Sequence, residues 1–344
     1  MSKLTDLRHC ASTKMWILFF LLFSFYAKSQ DIHYSQFYNS PMNINPANTG
    51  IFNGDQRFIV SFRDQWRSVP VTWTTFSGNY DRKFYQKNKE NGFWSGGLLY
   101  NYDRQGDSKL NLNNINVSAS YTHILNTQNI LTGGLMLGYS TRGFDQSSLR
   151  WDMQWTDGDY FGSLPSGENF DTERVSFVET ALGANYRWQK TSRTKVDVGV
   201  GLFHLVQPKP NFENGDGQKL PMRIAINAIA NFKIIDKLDI QLHALDQIQT
   251  GYGEIVIGGL AKIYINENRG SKTRLDLGLG YRTSGSLFPT IALSYNQFYL
   301  SGSYDIDLTE FGDIHGVRGG PEFHFTYIIT SVKPLKFFKN CPIF

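Results

Sequence analysis

The chain has 344 residues, 15% of them aromatic, with 32 glycines and 11 prolines. Its 34 Lys and Arg against 30 Asp and Glu give a formal net charge of +4, which does not support a nucleic-acid footprint. Mean hydropathy is −0.33 and the one long apolar run lies near the N-terminus, which argues against a bundle of membrane-spanning helices.

Residues 1–29 read as an export signal: Lys3, Arg8 and Lys14 precede the apolar run Met15–Tyr26, and Ala27-Lys28-Ser29 offers a small-x-small cleavage site before Gln30. Removal would take four basic residues and one acid, leaving 34 − 4 = 30 against 30 − 1 = 29, a net charge of +1. Cys10 lies inside this leader. The remaining Cys341 has no second thiol for a disulfide or a thiolate metal site.

Residues 30–55 are dense in Asn, Pro and aromatics and show no strand alternation before Gln56. Asn45-Pro46 and Asn53-Gly54 are turn signals, while Tyr34, Phe37 and Tyr38 argue for an ordered segment over a free tail.

From residue 56 the period is two. Met222, Ile224, Ile226, Ala228, Ala230, Phe232 and Ile234 share one phase, opposite Arg223, Asn227, Asn231 and Lys233. Leu275, Leu277, Leu279 and Tyr281 oppose Arg274, Asp276 and Arg282 in the same way, whereas the run 110–123 is blurred. Fourteen strands are predicted: 56–67, 72–85, 92–104, 109–125, 128–143, 174–189, 193–206, 220–235, 238–248, 251–265, 272–283, 287–295, 297–306 and 317–330. Many exceed the roughly 5–6 residues typical of soluble strands and reach the about 9–11 needed to cross an outer membrane. Aromatics such as Trp73, Trp94, Trp188 and Tyr327 sit near strand ends, as interfacial girdles require.

With the first strand starting in the periplasm, every second connection is short, and the three longest, 144–173, 207–219 and 307–316, fall on the opposite side. The expected architecture is an all-β transmembrane outer-membrane barrel of about 14 antiparallel strands, with an ordered N-terminal segment and long extracellular loops. Residues 1–29 are the signal, 30–55 a periplasmic or luminal segment, 56–330 the barrel and 331–344 a periplasmic tail. Residues 31–54 are expected to order against the periplasmic half of the lumen. The aromatic loop 144–173 suits partner contact or folding into the lumen.

No P-loop and no G-x-S-x-G occurs, and the histidines are scattered, with no two at local ligand spacing. No enzymatic activity, cofactor or metal is expected. Arg63, Asp64, Arg187, Asp197, Arg223, Arg274, Asp276 and Arg282 are expected as paired charges in a hydrated lumen.

Motifs in order along the chain then carry a resemblance: Gln30-Asp31, Ser35-Gln36-Phe37-Tyr38, Pro41, Asn45-Pro46-Ala47, Gly50 and Arg63-x-Gln65-Trp66. Trp151-x-x-Gln154, Phe203-His204, Gln207-Pro208, Leu220-Pro221-x-Arg223 and Cys341-Pro342-x-Phe344 continue it. The chain resembles the PorP/SprF family of outer-membrane proteins, associated with type IX secretion and gliding motility in Bacteroidetes. Ile343 stands where the family usually has Arg. The resemblance implies a non-enzymatic barrel that helps particular surface proteins or adhesins, with type IX sorting domains, reach or stay on the cell surface. Its partners would be outer-membrane lipid, such a secreted protein and other type IX components in the periplasm, with no nucleic acid. Phe37, Tyr38, Asn45, Pro46, Trp66, Trp151, Gln154 and His204 are the candidate docking or plug residues. A porin or hydrophobic-solute channel is the alternative, and an outer-membrane hydrolase a third.

Overall fold

The computed structural model describes residues 31–65, 72–85, 91–168, 170–213, 217–268, 270–309 and 318–330. The predicted signal peptide, Trp66, and the tail with Cys341 lie outside the described residues. Fourteen antiparallel strands close into a barrel: β1 (Gln56–Gln65), β2 (Trp73–Phe84), β3 (Gly92–Gln105), β4 (Leu110–Ile124), β5 (Asn129–Gly143), β8 (Arg174–Gln189), β9 (Lys195–Phe203), β10 (Arg223–Ile235), β11 (Leu238–Gln249), β12 (Tyr252–Asn266), β13 (Thr273–Arg282), β14 (Ser286–Tyr295), β15 (Phe298–Asp307) and β16 (Arg318–Ile329). Two short strands, β6 (Trp155–Thr156) and β7 (Asp159–Tyr160), pair with each other in the longest loop. Each barrel strand pairs with its sequence neighbour. The ring closes where β1 meets β16, with Gln56 opposite Ile329 and Phe62 opposite Phe323.

The radial order is that of a membrane barrel, because the two faces of each strand have opposite chemistry. In β1, Phe58, Val60 and Phe62 are exposed on the outside while Arg57, Ser61 and Arg63 are buried inside. In β10 the outer face carries exposed Ile226, Phe232 and Ile234, and the inner face buries Arg223, Asn227 and Asn231. In a soluble fold the large apolar side chains would be inside; here they form the lipid-facing band.

Register also resolves the blurred run 110–123. Ile115 and Val117 face out and Asn114, Asn116, Ser118 and Ser120 face in, so Leu110 and Leu112 share the luminal phase at the strand's outer end. One expected strand is shorter than its alternation: 193–206 contracts to Lys195–Phe203, because His204 (φ 57°) and Gln207 (φ 45°) turn the chain out of the sheet. An even strand number puts both ends of the barrel chain on one side. That side holds tight connections such as Asp236-Lys237 and Asn296-Gln297; the other holds 144–173 and 204–222. The asymmetry sets the terminus side as periplasmic and the long loops as extracellular.

Candidate functional site: a luminal plug and an outer cap

The segment before β1 folds as a chain of tight turns. A 3-10 turn, Phe37–Asn39, leads into a single helical turn, Pro41–Ile44, and then a second 3-10 turn, Pro46–Asn48. Pro41 and Pro46 open their turns, where the missing N–H costs nothing and the fixed φ suits the first helical position. Asn45 links the last two. Its side-chain oxygen accepts from the Ala47 N–H at 2.9 Å, and its Nδ2 donates to the Ala184 carbonyl of β8 at 2.9 Å.

This segment occupies the lumen and is bonded around its wall. Tyr34 Oη and Ser77 Oγ of β2 lie 2.8 Å apart, and Asn39 donates to Ser301 of β15 at 3.0 Å. Asn43 donates to Asn101 of β3 at 3.1 Å, and Thr49 Oγ1 meets Ser118 of β4 at 2.6 Å. The Gly50 N–H donates to Asp81 at 2.7 Å, and Arg223 of β10 donates to the Asn43 carbonyl at 3.0 Å. Burial pushes the Tyr34 and Tyr38 phenols well above their ordinary range, so both stay protonated and neutral at physiological pH.

The tightest anchor is a charged cluster around Ser35. The Ser35 and Gln36 N–H groups donate to the two oxygens of Glu322 at 2.8 and 2.7 Å, and Ser35 Oγ donates to Asp305 at 2.6 Å. Arg63 Nη2 donates to Asp305 at 2.6 Å and its Nη1 to the His33 carbonyl at 2.8 Å. Arg282 donates to Ser35 Oγ at 2.6 Å, and His324 bridges Glu322 and Ser61 at 2.8 and 2.7 Å. All these side chains are buried. Such a cluster holds position because each buried charge meets an opposite charge or a directed donor.

The position of the segment corrects one expectation. Residues 33–36 sit level with Arg63, Arg282 and Asp305, near the extracellular ends of β1, β13 and β15. The chain then descends past Ser118 and Asp81 to Asp55, whose N–H donates to Ile329 at the periplasmic end at 2.9 Å. The segment thus runs along most of the lumen; it is not confined to the periplasmic half. Two features let it fit. Phe37, Met42 and Ile44 pack on inward apolar side chains, among them Leu99, Met136, Phe203 and Phe288, as a core inside the barrel. Where the segment presses on the wall, the wall has glycine: a Cβ at Gly134 would strike the Pro46 and Ala47 backbone, and one at Gly201 the Ile44 carbonyl.

The structure separates the sequence-predicted site residues into three places. Phe37, Tyr38, Asn45 and Pro46 lie in the lumen, with the Tyr38 ring 4.6 Å from His243. Trp151 and Gln154 organise the outer loop. Gln154 Oε1 accepts from the Trp151 N–H at 3.1 Å and its Nε2 donates to the Leu164 carbonyl at 3.0 Å. Phe144 stacks edge-on against Phe170 and Phe212 at 5.0 Å each, joining this loop to the next. His204 is buried at the start of that next connection, its Nδ1 2.5 Å from Glu179 Oε2. Asp305 and Glu322 escaped the sequence reading, although both lie in the luminal phase of their strands. Among the described residues no group of three His, Cys, Asp or Glu gathers around a point where a metal could bind.

Lipid-facing strands around a polar lumen define an outer-membrane β-barrel, and the bonded N-terminal segment makes it a plugged one. The chain belongs to the PorP/SprF family of type IX secretion system membrane proteins, whose family model matches residues 26–323. No curated protein matches it. Among solved structures, the toluene transporter TbuX of Ralstonia pickettii is 10% identical, with 85% of this chain and 94% of that chain covered at a TM-score of 0.49. A FadL homologue of Pseudomonas aeruginosa is 10% identical over 82% of this chain and 92% of that one, at a TM-score of 0.48. The monoaromatic hydrocarbon channel CymD is also 10% identical, over 85% and 93%, at 0.48. Likeness at this level says nothing about solute or mechanism, and the barrel assignment stands on the strand pairing.

Proposed function

We propose that this barrel is a non-enzymatic component of the type IX secretion and gliding machinery that assists the secretion or surface attachment of specific large surface proteins or adhesins. Export through removal of residues 1–29 is part of the proposal. Family membership supports the secretion system. The observation that most favours a docking role over transport is the plug, since residues 33–55 fill the path that a porin or hydrophobic-solute channel would need open. A partner would be met at the two ends of the barrel. On the extracellular side, Met153, Trp155 and Phe161 are exposed beside Trp151 and Gln154, more apolar surface than a loop in water needs.

The test is deletion of the gene, followed by mass spectrometry of surface proteins and a small-solute uptake assay. Loss of one or a few surface proteins with normal uptake is expected. An unchanged surface complement with impaired uptake would favour the channel instead.

A further inference from the structure

Beside the plug, a cavity of about 440 Å³ lies between the segment and the wall. Asn296 and Gln297, from a periplasmic turn, are among its lining residues, so it reaches the periplasmic end. Its charges do not balance. Arg57 pairs with Asp81, Arg187 with Asp197 and Arg274 with Asp276, each at 2.7 Å, and neighbouring Asp239 is taken by Arg193 at 2.7 Å. Two lysines on the cavity wall remain. Among the described residues neither Lys195 nor Lys262 has a carboxylate within ion-pair distance; Lys262 Nζ donates only to Asn231 Oδ1, at 2.9 Å. Asn231 stands opposite Lys195 in the β9–β10 ladder, so the two lysines flank one residue. Both are half-buried.

Partly desolvated ammonium groups without counter-charge are costly, and each has three donors to offer. A carboxylate entering between them would be stabilised by both. The barrel wall is continuous around its fourteen strands, so lipid headgroups have no lateral way in and the ligand must come from the periplasm. Tyr38, Phe52, Ile229 and Leu260 give the cavity apolar walls, which suit the stem of a side chain better than a bare ion. The chain's own last fourteen residues carry Lys333, Lys336 and Lys339 and no acidic side chain, a poor match for this charge. We propose that this vestibule docks an acidic peptide segment of a periplasmic partner, one carboxylate held between Lys195 and Lys262. The periplasmic orientation it needs comes from the asymmetry of turns and loops, and the inference does not depend on the secretion role proposed above.

The experiment uses the purified full chain in detergent and a fluorescent oligoglutamate peptide, followed by anisotropy at rising salt. Binding that weakens with salt is expected, and K195Q with K262Q should weaken it by about tenfold or more. K109Q, at the extracellular end, should leave it unchanged. If the double variant loses its heat-modifiable gel mobility, Ile229→Trp fills the cavity without altering charge and should weaken binding likewise. Absence of wild-type binding, equal binding by the double variant, or binding of inorganic phosphate alone would overturn the proposal. Binding that emerges only on deleting residues 331–344 would also overturn it, by assigning the site to the chain's own tail. None of these outcomes involves secretion, so failure here is separable from failure of the gene-deletion test.

Discussion

Arg63 is 2% exposed and meets Asp305 at 2.6 Å, Glu322 at 3.5 Å and the plug's His33 carbonyl at 2.8 Å. Removing it leaves two buried carboxylates with reduced compensation, a class of change that costs about 3–5 kcal/mol. Arg63→Ala is therefore expected to lower the urea midpoint of the heat-modifiable form and expose residues 31–55 to protease. Adding Asp305→Asn should restore part of the loss, because it removes one of the orphaned charges. Unchanged protease resistance in the single variant would remove Arg63 from the anchor. The sequence names Arg63 and Arg282 as luminal charges by their strand phase. It cannot name their partners, since Arg63 and Asp305 are 242 positions apart and meet only once the barrel closes. Lys195 and Lys262 were hidden for the same reason: a missing partner is a property of register, which alternation alone does not reveal.

The elements were largely legible. Alternation marks most of the fourteen barrel strands, because one face must meet lipid and the other a polar lumen, and it blurs where apolar side chains also point inward, as Leu110 and Leu112 do in β4. It fails at strand ends, as at His204, where backbone conformation rather than burial stops the strand. The plug was visible as an aromatic, turn-rich segment, but its height in the lumen depended on contacts with residues such as Glu322 and Arg282. Adjacent glycines on β5 offer a controlled test of its seating. A Cβ at Gly134 would strike the plug backbone, whereas one at Gly133 meets nothing within 4 Å. Gly134→Ala should cost about 1–3 kcal/mol through overpacking and increase protease cleavage of residues 31–55, while Gly133→Ala should match wild type. Equal behaviour of the two variants would show that the segment does not press on this wall.

At the scale of the whole molecule, the fold turns the usual distribution of residues inside out and then fills the inside with its own chain. The lipid-facing band carries Val117, Ile291 and Leu300, and the lumen carries charged and amide side chains that bond the plug. This combination supports the proposed docking role over a solute pathway. The central claim is a barrel closed by residues 33–55, and single-channel recording in planar bilayers tests it most directly. Wild-type protein should give no steady conductance, and a variant lacking residues 31–53 should give stable openings. Steady openings of the wild type, unchanged by the deletion, would contradict the account.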